Sequence, residues 1–286
     1  MTTKPLRISR TDRSNPLTQG LIICCALNDL SGNPVNAATS ARGALGNGVW
    51  TVDGIKIPVT TAGNYVDLIP AGSVLPTGPC TVMVRYRKLD SVNRVSSALG
   101  RRGAPSLTTR LGCLLPYSDG TIYWDYGGAT AGVTRLSVAG LTGFTQWSNW
   151  AFTVGTRGME IWRDGLLVAS NAANPTRVND GSPWGLGQND STGGTTDIAE
   201  TALVYLFNRQ LSAAEIRQLN TNPWQLLSQS SAVSVLKKLN IFSPRSTTGF
   251  QASAFQIGAF QTGAITGWSR GRTLAGISRG RISCGY

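Results

Sequence analysis

The sequence predicts an all-β sandwich closed by one short helix and flanked by two basic arms. Three observations predict it. Apolar residues alternate over many short runs, as in Cys80, Val82, Val84 and Tyr86 against Thr81, Met83 and Arg85. Turn residues separate these runs at roughly the 8–12-residue spacing of a sandwich. One run alone, Ser212 to Leu219, carries helix grammar.

Taken in order, residues 1–19 are polar and basic, with Pro5 and Pro16 and no periodicity, and read as an N-terminal arm. Arg7, Arg10 and Arg13 are its candidate partner contacts. The first strand opens at Asn15–Ile22, and a loop rich in Asn, Gly, Ala and Ser follows to Gly48. Val49–Ile57 gives two short strands about an Asp53-Gly54 turn. Tyr65–Leu68, Cys80–Tyr86, Ser96–Arg101, Leu107–Leu115, Gly120–Tyr126 and Thr134–Val138 are further strands. Within Gly120–Tyr126, Ile122 and Trp124 share one face and Tyr123 takes the other. Trp147–Val154 leads into a hairpin whose two-residue turn is Asp164-Gly165, the strongest short-range hairpin signal in the chain.

Ile198, Ala202, Val204 and Leu206 then set an apolar beat over the last body strand. Ser212 stands three residues before Glu215, which makes a capping box, and Leu211 is placed to staple onto Ile216. Asn222-Pro223 ends the helix, because a residue before proline avoids helical backbone. The body therefore spans residues 20–228 as one domain, with a C-terminal arm over 229–286.

Several of these stretches carry a resemblance. "G-x-x-x-I-A-E-x-x-x-x-Y-x-F-N-R-x-L-S-A-A-E-I-x-x-L", from Gly194 to Leu219, resembles the last core strand and closing helix of laminin-G-like (concanavalin A-like) jelly rolls. "W-x-x-W-A-F-T-V" followed by "M-x-I-W-R-D-G-x-L-V" is similar to their framework hairpin. "N-P-W-Q-L" at Asn222–Leu226 looks like the version found in proteins of tailed bacteriophages, and "N-P-L-x-x-G-L" at Asn15–Leu21 is similar to their entry strand, with Asn15 where those proteins carry histidine. The tryptophan that the family tends to place after a cysteine is missing at Cys25-Ala26-Leu27. The resemblance implies a concanavalin A/laminin-G-like jelly-roll sandwich. It also implies a virion protein, made in the bacterial host cytoplasm, with capsid or tail subunits as partners. Self-association, for example as a trimer on a three-fold phage surface, fits that placement. A fold names no ligand by itself.

Charge adds an independent argument. The formal net charge is +12, and no acidic residue follows Glu215. Positive charge therefore gathers on the flanks of a more balanced body, which suits docking on an acidic partner. The C-terminal arm repeats Phe-Gln units at Phe250, Phe255 and Phe260. It then repeats Ser-Arg-Gly-Arg, placing Arg270 with Arg272 and Arg279 with Arg281. An extended chain presents residues i and i+2 on one side, so each arginine pair faces one way. These residues are the candidate C-terminal anchors. The arms lack the regular interleaving of aromatics that single-stranded nucleic acid needs, so nucleic acid is not the expected partner. The chain has no run of about 18 apolar residues and no secretory h-region, so neither membrane insertion nor a signal peptide is expected.

Chemistry is excluded more readily than assigned. With no histidine, Ser-His-Asp and Cys-His triads are impossible. The five cysteines, Cys24, Cys25, Cys80, Cys113 and Cys284, are scattered and read as reduced, mostly buried thiols. Asp125, Glu160, Asp164, Asp190, Asp197 and Glu200 match no glycosidase carboxylate pattern, and no catalytic residue is expected. Asn189, Asp190, Ser191 and Asp180 are the oxygen-rich residues that Ca²⁺ would use, but their spacing is not diagnostic and no cofactor is expected. Trp124, Trp162 and Trp184 are the candidates for stacking on a sugar ring if exposed, and core residues of the sandwich if not. The expected function is a non-enzymatic virion structural protein, a capsid decoration protein or another head or tail accessory docked through its arms. The alternative is a carbohydrate-binding adhesin that takes a host surface glycan.

Overall fold

The computed structural model describes residues 8–28, 31–58, 65–95, 97–101, 107–187 and 198–229. Its strands in chain order are β1 Ile8–Thr11, β2 Leu21–Cys25, β3 Val49–Trp50, β4 Ile55–Ile57, β5 Val66–Ile69, β6 Cys80–Lys88, β7 Leu99–Arg101 and β8 Leu111–Leu114. They continue as β9 Ile122–Tyr126, β10 Arg135–Val138, β11 Ser148–Gly155, β12 Gly158–Arg163, β13 Leu166–Asn171, β14 Trp184–Leu186, β15 Ala199–Phe207 and β16 Leu227–Gln229. One α-helix, α1 (Ala213–Thr221), lies between β15 and β16.

The strands form two face-to-face sheets and a small ribbon. The smaller sheet has the order β10-β9-β8-β7-β14-β5. The larger runs β13-β12-β11-β6-β15-β4-β3, and β2 also pairs with β15. Alternation decides which side chains meet between them. On β6, Cys80, Val82, Val84 and Tyr86 enter the inter-sheet core with Trp124, Trp150, Phe152, Trp184 and Leu206. Met83 points the other way, into a second core on the outer face of the larger sheet. There Tyr205, Phe207, Ala151 and Trp162 pack under Leu17, Leu211, Ile216, Leu219 and Trp224.

Helix α1 covers that outer face for reasons written in its ends. The Ser212 side chain accepts from the Glu215 N–H, and the Glu215 carboxylate accepts from the Ser212 N–H, so the capping box is complete. Leu211 and Ile216 are both buried in the outer core, as the staple requires. The turn between β12 and β13 is Asp164-Gly165, with φ of 50° and 79°, the left-handed pair that a two-residue hairpin demands.

Four local expectations change. Val49 pairs with Lys56 and Trp50 with Ile55, so the β3–β4 connection is the four residues Thr51 to Gly54. Gly54 is there because a Cβ would lie 2.0 Å from the Thr201 carbonyl oxygen. Leu107–Thr109 forms a 3₁₀ turn, and the strand begins only at Leu111. A bulge between Thr201 and Leu203 shifts the face pattern of β15, so Ala202 joins the outer core with Leu203 and Tyr205. Finally, residues 8–19 are built into the body. Ile8 pairs with Gln229 and Thr11 with Leu227, and a 3₁₀ turn at Pro16–Thr18 buries Leu17.

Candidate functional site

The sugar-stacking candidates are placed against that role. Trp124 and Trp184 are 0 % exposed and Trp162 is 4 % exposed. Each indole N–H is also taken: Trp124 donates to the Thr153 carbonyl, Trp184 to the Leu111 carbonyl and Trp162 to the Glu160 carboxylate. The three rings are core pieces, because even positions of β9 and β14 face the opposing sheet and Trp162 lies under α1. A ligand stacking on them would first have to open the sandwich.

The carboxylates are committed to arginines. Asp125, fully buried, is held by Arg135 at 2.6 Å and Arg110 at 2.9 Å. Glu200 is held by Arg87 at 2.6 Å, and Arg163 lies 3.8 Å from Asp164. Glu160 receives Arg157, Thr153 and the Trp162 indole. Burial pushes the Glu160 pKa up, yet these donors outweigh it and hold the group below the usual 4.5. That is opposite to the raised pKa a general acid needs. Asp180, the one described member of the candidate Ca²⁺ set, is bound by Arg101 and by the Ser182 N–H. Among the described residues no three His, Cys, Asp or Glu gather as a metal site.

Among the described residues, two accessible places involve candidate or neighbouring side chains. A groove of about 550 Å³ runs between the N-terminal segment and β2, lined by Thr11, Arg13, Asn15, Thr18, Gln19 and Ala38. Arg13, itself exposed, donates to the Ala38 carbonyl at 2.9 Å and closes one wall. Arg10 is exposed on the adjoining ribbon. The structure thus brings Arg10 and Arg13 near one polar groove. Arg7, Phe250, Phe255, Phe260, Arg270, Arg272, Arg279 and Arg281 lie outside the described residues, as do Asn189, Asp190 and Ser191.

The second place is the outer face of the smaller sheet. Tyr123 on β9 carries the Arg135 guanidinium 4.3 Å over its ring, and Tyr117 meets its edge at 5.8 Å. The Tyr123 hydroxyl donates to Asp119 at 2.6 Å, which raises the phenol pKa. This cluster of partly exposed tyrosines and a cation was missed in the sequence. The alternation of Ile122, Tyr123 and Trp124 pointed to it, because the residue between two core positions must face out.

Residues 60–217 match the laminin G-like family model of the concanavalin A-like lectin/glucanases superfamily. The chain belongs to this superfamily. Solved structures share the fold. The Trypanosoma rangeli sialidase bound to the inhibitor DANA is similar at a TM-score of 0.55 and 16% identity, covering 74% of this chain and 34% of the sialidase. The same enzyme with 2,3-difluoro-KDN gives 0.53 and 14%, covering 78% and 37%. Its complex with sialic acid gives 0.52 and 15%, covering 72% and 33%. The superfamily chain thus spans about a third of these enzymes, and the likeness is one of fold. No curated protein sequence matches it. Among the described residues no helix is long and apolar enough to cross a membrane.

Proposed function

We propose that this chain is a non-enzymatic structural protein of a tailed-bacteriophage particle. In this reading it is a capsid decoration protein or another head or tail accessory, made in the host cytoplasm and carried on the virion. One observation carries the reading: β1 and β16 pair so that Ile8 lies opposite Gln229. The two basic flanks are therefore joined to the body at one point. Residues 1–7 hold Lys4 and Arg7, and residues 230–286 hold seven Lys and Arg, with no acid in either flank. Charge concentrated this way suits docking on an acidic shell of capsid or tail subunits. Self-association, a trimer included, belongs to the same reading. The engagement of the body's carboxylates by arginine supports a binding role over a hydrolytic one.

The test is binding of the full chain to phage heads stripped of accessory proteins, beside a variant ending at Gln229, which keeps the β1–β16 ribbon. Binding by the full chain and its loss on truncation are expected. Equal binding by both would place the contact on the body, and no binding by either would reject head docking.

A second reading, a carbohydrate-binding adhesin, is favoured by the superfamily fold and by the outward Tyr123–Arg135 cluster. A partly exposed aromatic beside a guanidinium can receive one face of a sugar and its hydroxyls. Saturable glycan binding lost in Tyr123→Ala would support it.

A further inference from the structure

The outer face of the larger sheet is only partly covered by α1. Beyond the helix, β6 presents Arg85 and Arg87, and Trp147 stands just before β11. Both guanidiniums lie over the Trp147 ring, at 5.4 and 4.6 Å from its centre. Their charges are handled differently. Arg87 is neutralised by Glu200 at 2.6 Å and Asp53 at 3.3 Å. Arg85 has no carboxylate within 4 Å among the described residues, and its protein partner is the Asn149 side-chain oxygen at 3.1 Å. Asp164 and Asp53 act on it only at longer range, and burial weakens its hold on the proton.

The neighbouring polar groups are mixed: the Asp164 carboxylate accepts from the Asn149 backbone N–H at 2.8 Å, and donors stand beside it. Trp147 is partly exposed, and its indole N–H meets no acceptor among the described residues, unlike those of Trp50, Trp124, Trp162 and Trp184. The Asn149 amide donates to the Asn220 side-chain oxygen at 2.8 Å, and the Asn220 amide nitrogen lies beside Gly165. A half-buried cation and an aromatic ring with a spare N–H thus sit side by side. A cation that no carboxylate contacts directly, beside an unengaged indole N–H, is complementary to an acceptor-rich anion.

We infer that Arg85, Trp147 and Asn220 form a binding site for an acidic saccharide, its carboxylate taken by Arg85 and its ring laid against the Trp147 edge. This inference rests on the glycan-binding reading of the fold and adds the ligand class and the place. It lies on the sheet opposite Tyr123, so the two locations are separable by mutation. An acidic peptide shares the carboxylate but lacks the hydroxylated ring that would meet the indole N–H.

The experiment titrates the full chain with carboxylate-bearing oligosaccharides and with the same oligosaccharides after reduction of the carboxyl groups. Arg85→Gln, Trp147→Phe and Tyr123→Ala are run in parallel, each checked for unchanged thermal unfolding. Expected is binding of the acidic form, weakened about tenfold or more by carboxyl reduction and by Arg85→Gln, in line with loss of one charge-assisted hydrogen bond. Trp147→Phe, which keeps an aromatic face but removes the N–H, should weaken it less, and Tyr123→Ala not at all. Equal binding of acidic and reduced forms would overturn the inference and leave the glycan reading standing. Loss only in Tyr123→Ala, or preference for an acidic peptide over every saccharide, would overturn it as well. Absence of binding to all saccharides would remove both.

Discussion

Ile8 and Gln229 are partners across an antiparallel ribbon, although 221 positions separate them in the chain. The ribbon is tied further by the Asp12 N–H to the Leu226 carbonyl at 2.8 Å and by the Ser228 hydroxyl to the Arg10 carbonyl at 3.0 Å. Starting the chain at Ile8 should leave stability unchanged. Starting it at Asp12 should cost about 2–3 kcal/mol, a few hydrogen bonds at roughly 1 kcal/mol each. Urea unfolding of the two variants measures the difference, and equal midpoints would show the ribbon to be incidental.

Trp124 and Trp184 are fully buried in the inter-sheet core. Replacing either by alanine removes a large ring and orphans a backbone acceptor, and should destabilise by about 3–5 kcal/mol. Chemical denaturation reads this directly. A variant with wild-type stability would mean the core is looser than its packing indicates.

Helix α1 depends on its first turn. Ser212→Ala removes the acceptor for the Glu215 N–H and should cost about 1 kcal/mol. Ser212→Asp restores an acceptor and should recover most of it, so the pair separates capping from side-chain volume.

Acid should unfold the protein through its arginine-bound carboxylates. For Glu160 and Glu215, burial raises the pKa, but donors such as Arg157 and Arg209 outweigh it and bring both below 4.5. The unfolded chain then takes up protons first as pH falls. Stability from these groups is fully present above about pH 4.5 and is lost as pH drops through their lowered folded values. Melting temperature measured from pH 6 down to pH 3 should be flat and then fall, and Glu160→Gln should lessen the drop.

The thiols of Cys24, Cys25, Cys80 and Cys113 are all buried. Burial pushes the Cys80 thiol up to about 12, despite Tyr126 and Arg177 pulling it down. These four should resist alkylation near pH 8 in the native protein and react only after unfolding. Mass spectrometry of the labelled chain shows this, and fast labelling of Cys80 would contradict its burial.

Much of the fold was legible because local chemistry decided it. Ser212 and Glu215 could make a capping box in few other ways, and Asp164-Gly165 can take the left-handed pair of a tight hairpin. The alternation through β6 gave both of its faces correctly. Other features depended on distant residues. The bulge after Thr201 is set by β15 serving β6, β4 and β2 together, and nothing between Ala199 and Phe207 announces it. The pairing of β1 with β16 joins segments from opposite ends of the chain. Site residues were harder still. A tryptophan in a strand pattern does not say what covers it, so Trp124, Trp162 and Trp184 read either as core residues or as stacking platforms, and their burial decides for the core. Trp147, outside the regular alternation, meets Arg85 and Arg87 only because β11 and β6 are neighbours in this register.

The ribbon also decides how the molecule would respond to load. Because Ile8 and Gln229 lie at the same end of an antiparallel pair, tension drawing the two flanks apart would peel β1 from β16 one pairing at a time. Hydrogen bonds opened in sequence yield at lower force than bonds sheared together. The ribbon is thus a mechanical fuse: it would open first, lengthen the tether and leave the two sheets of the sandwich unstrained.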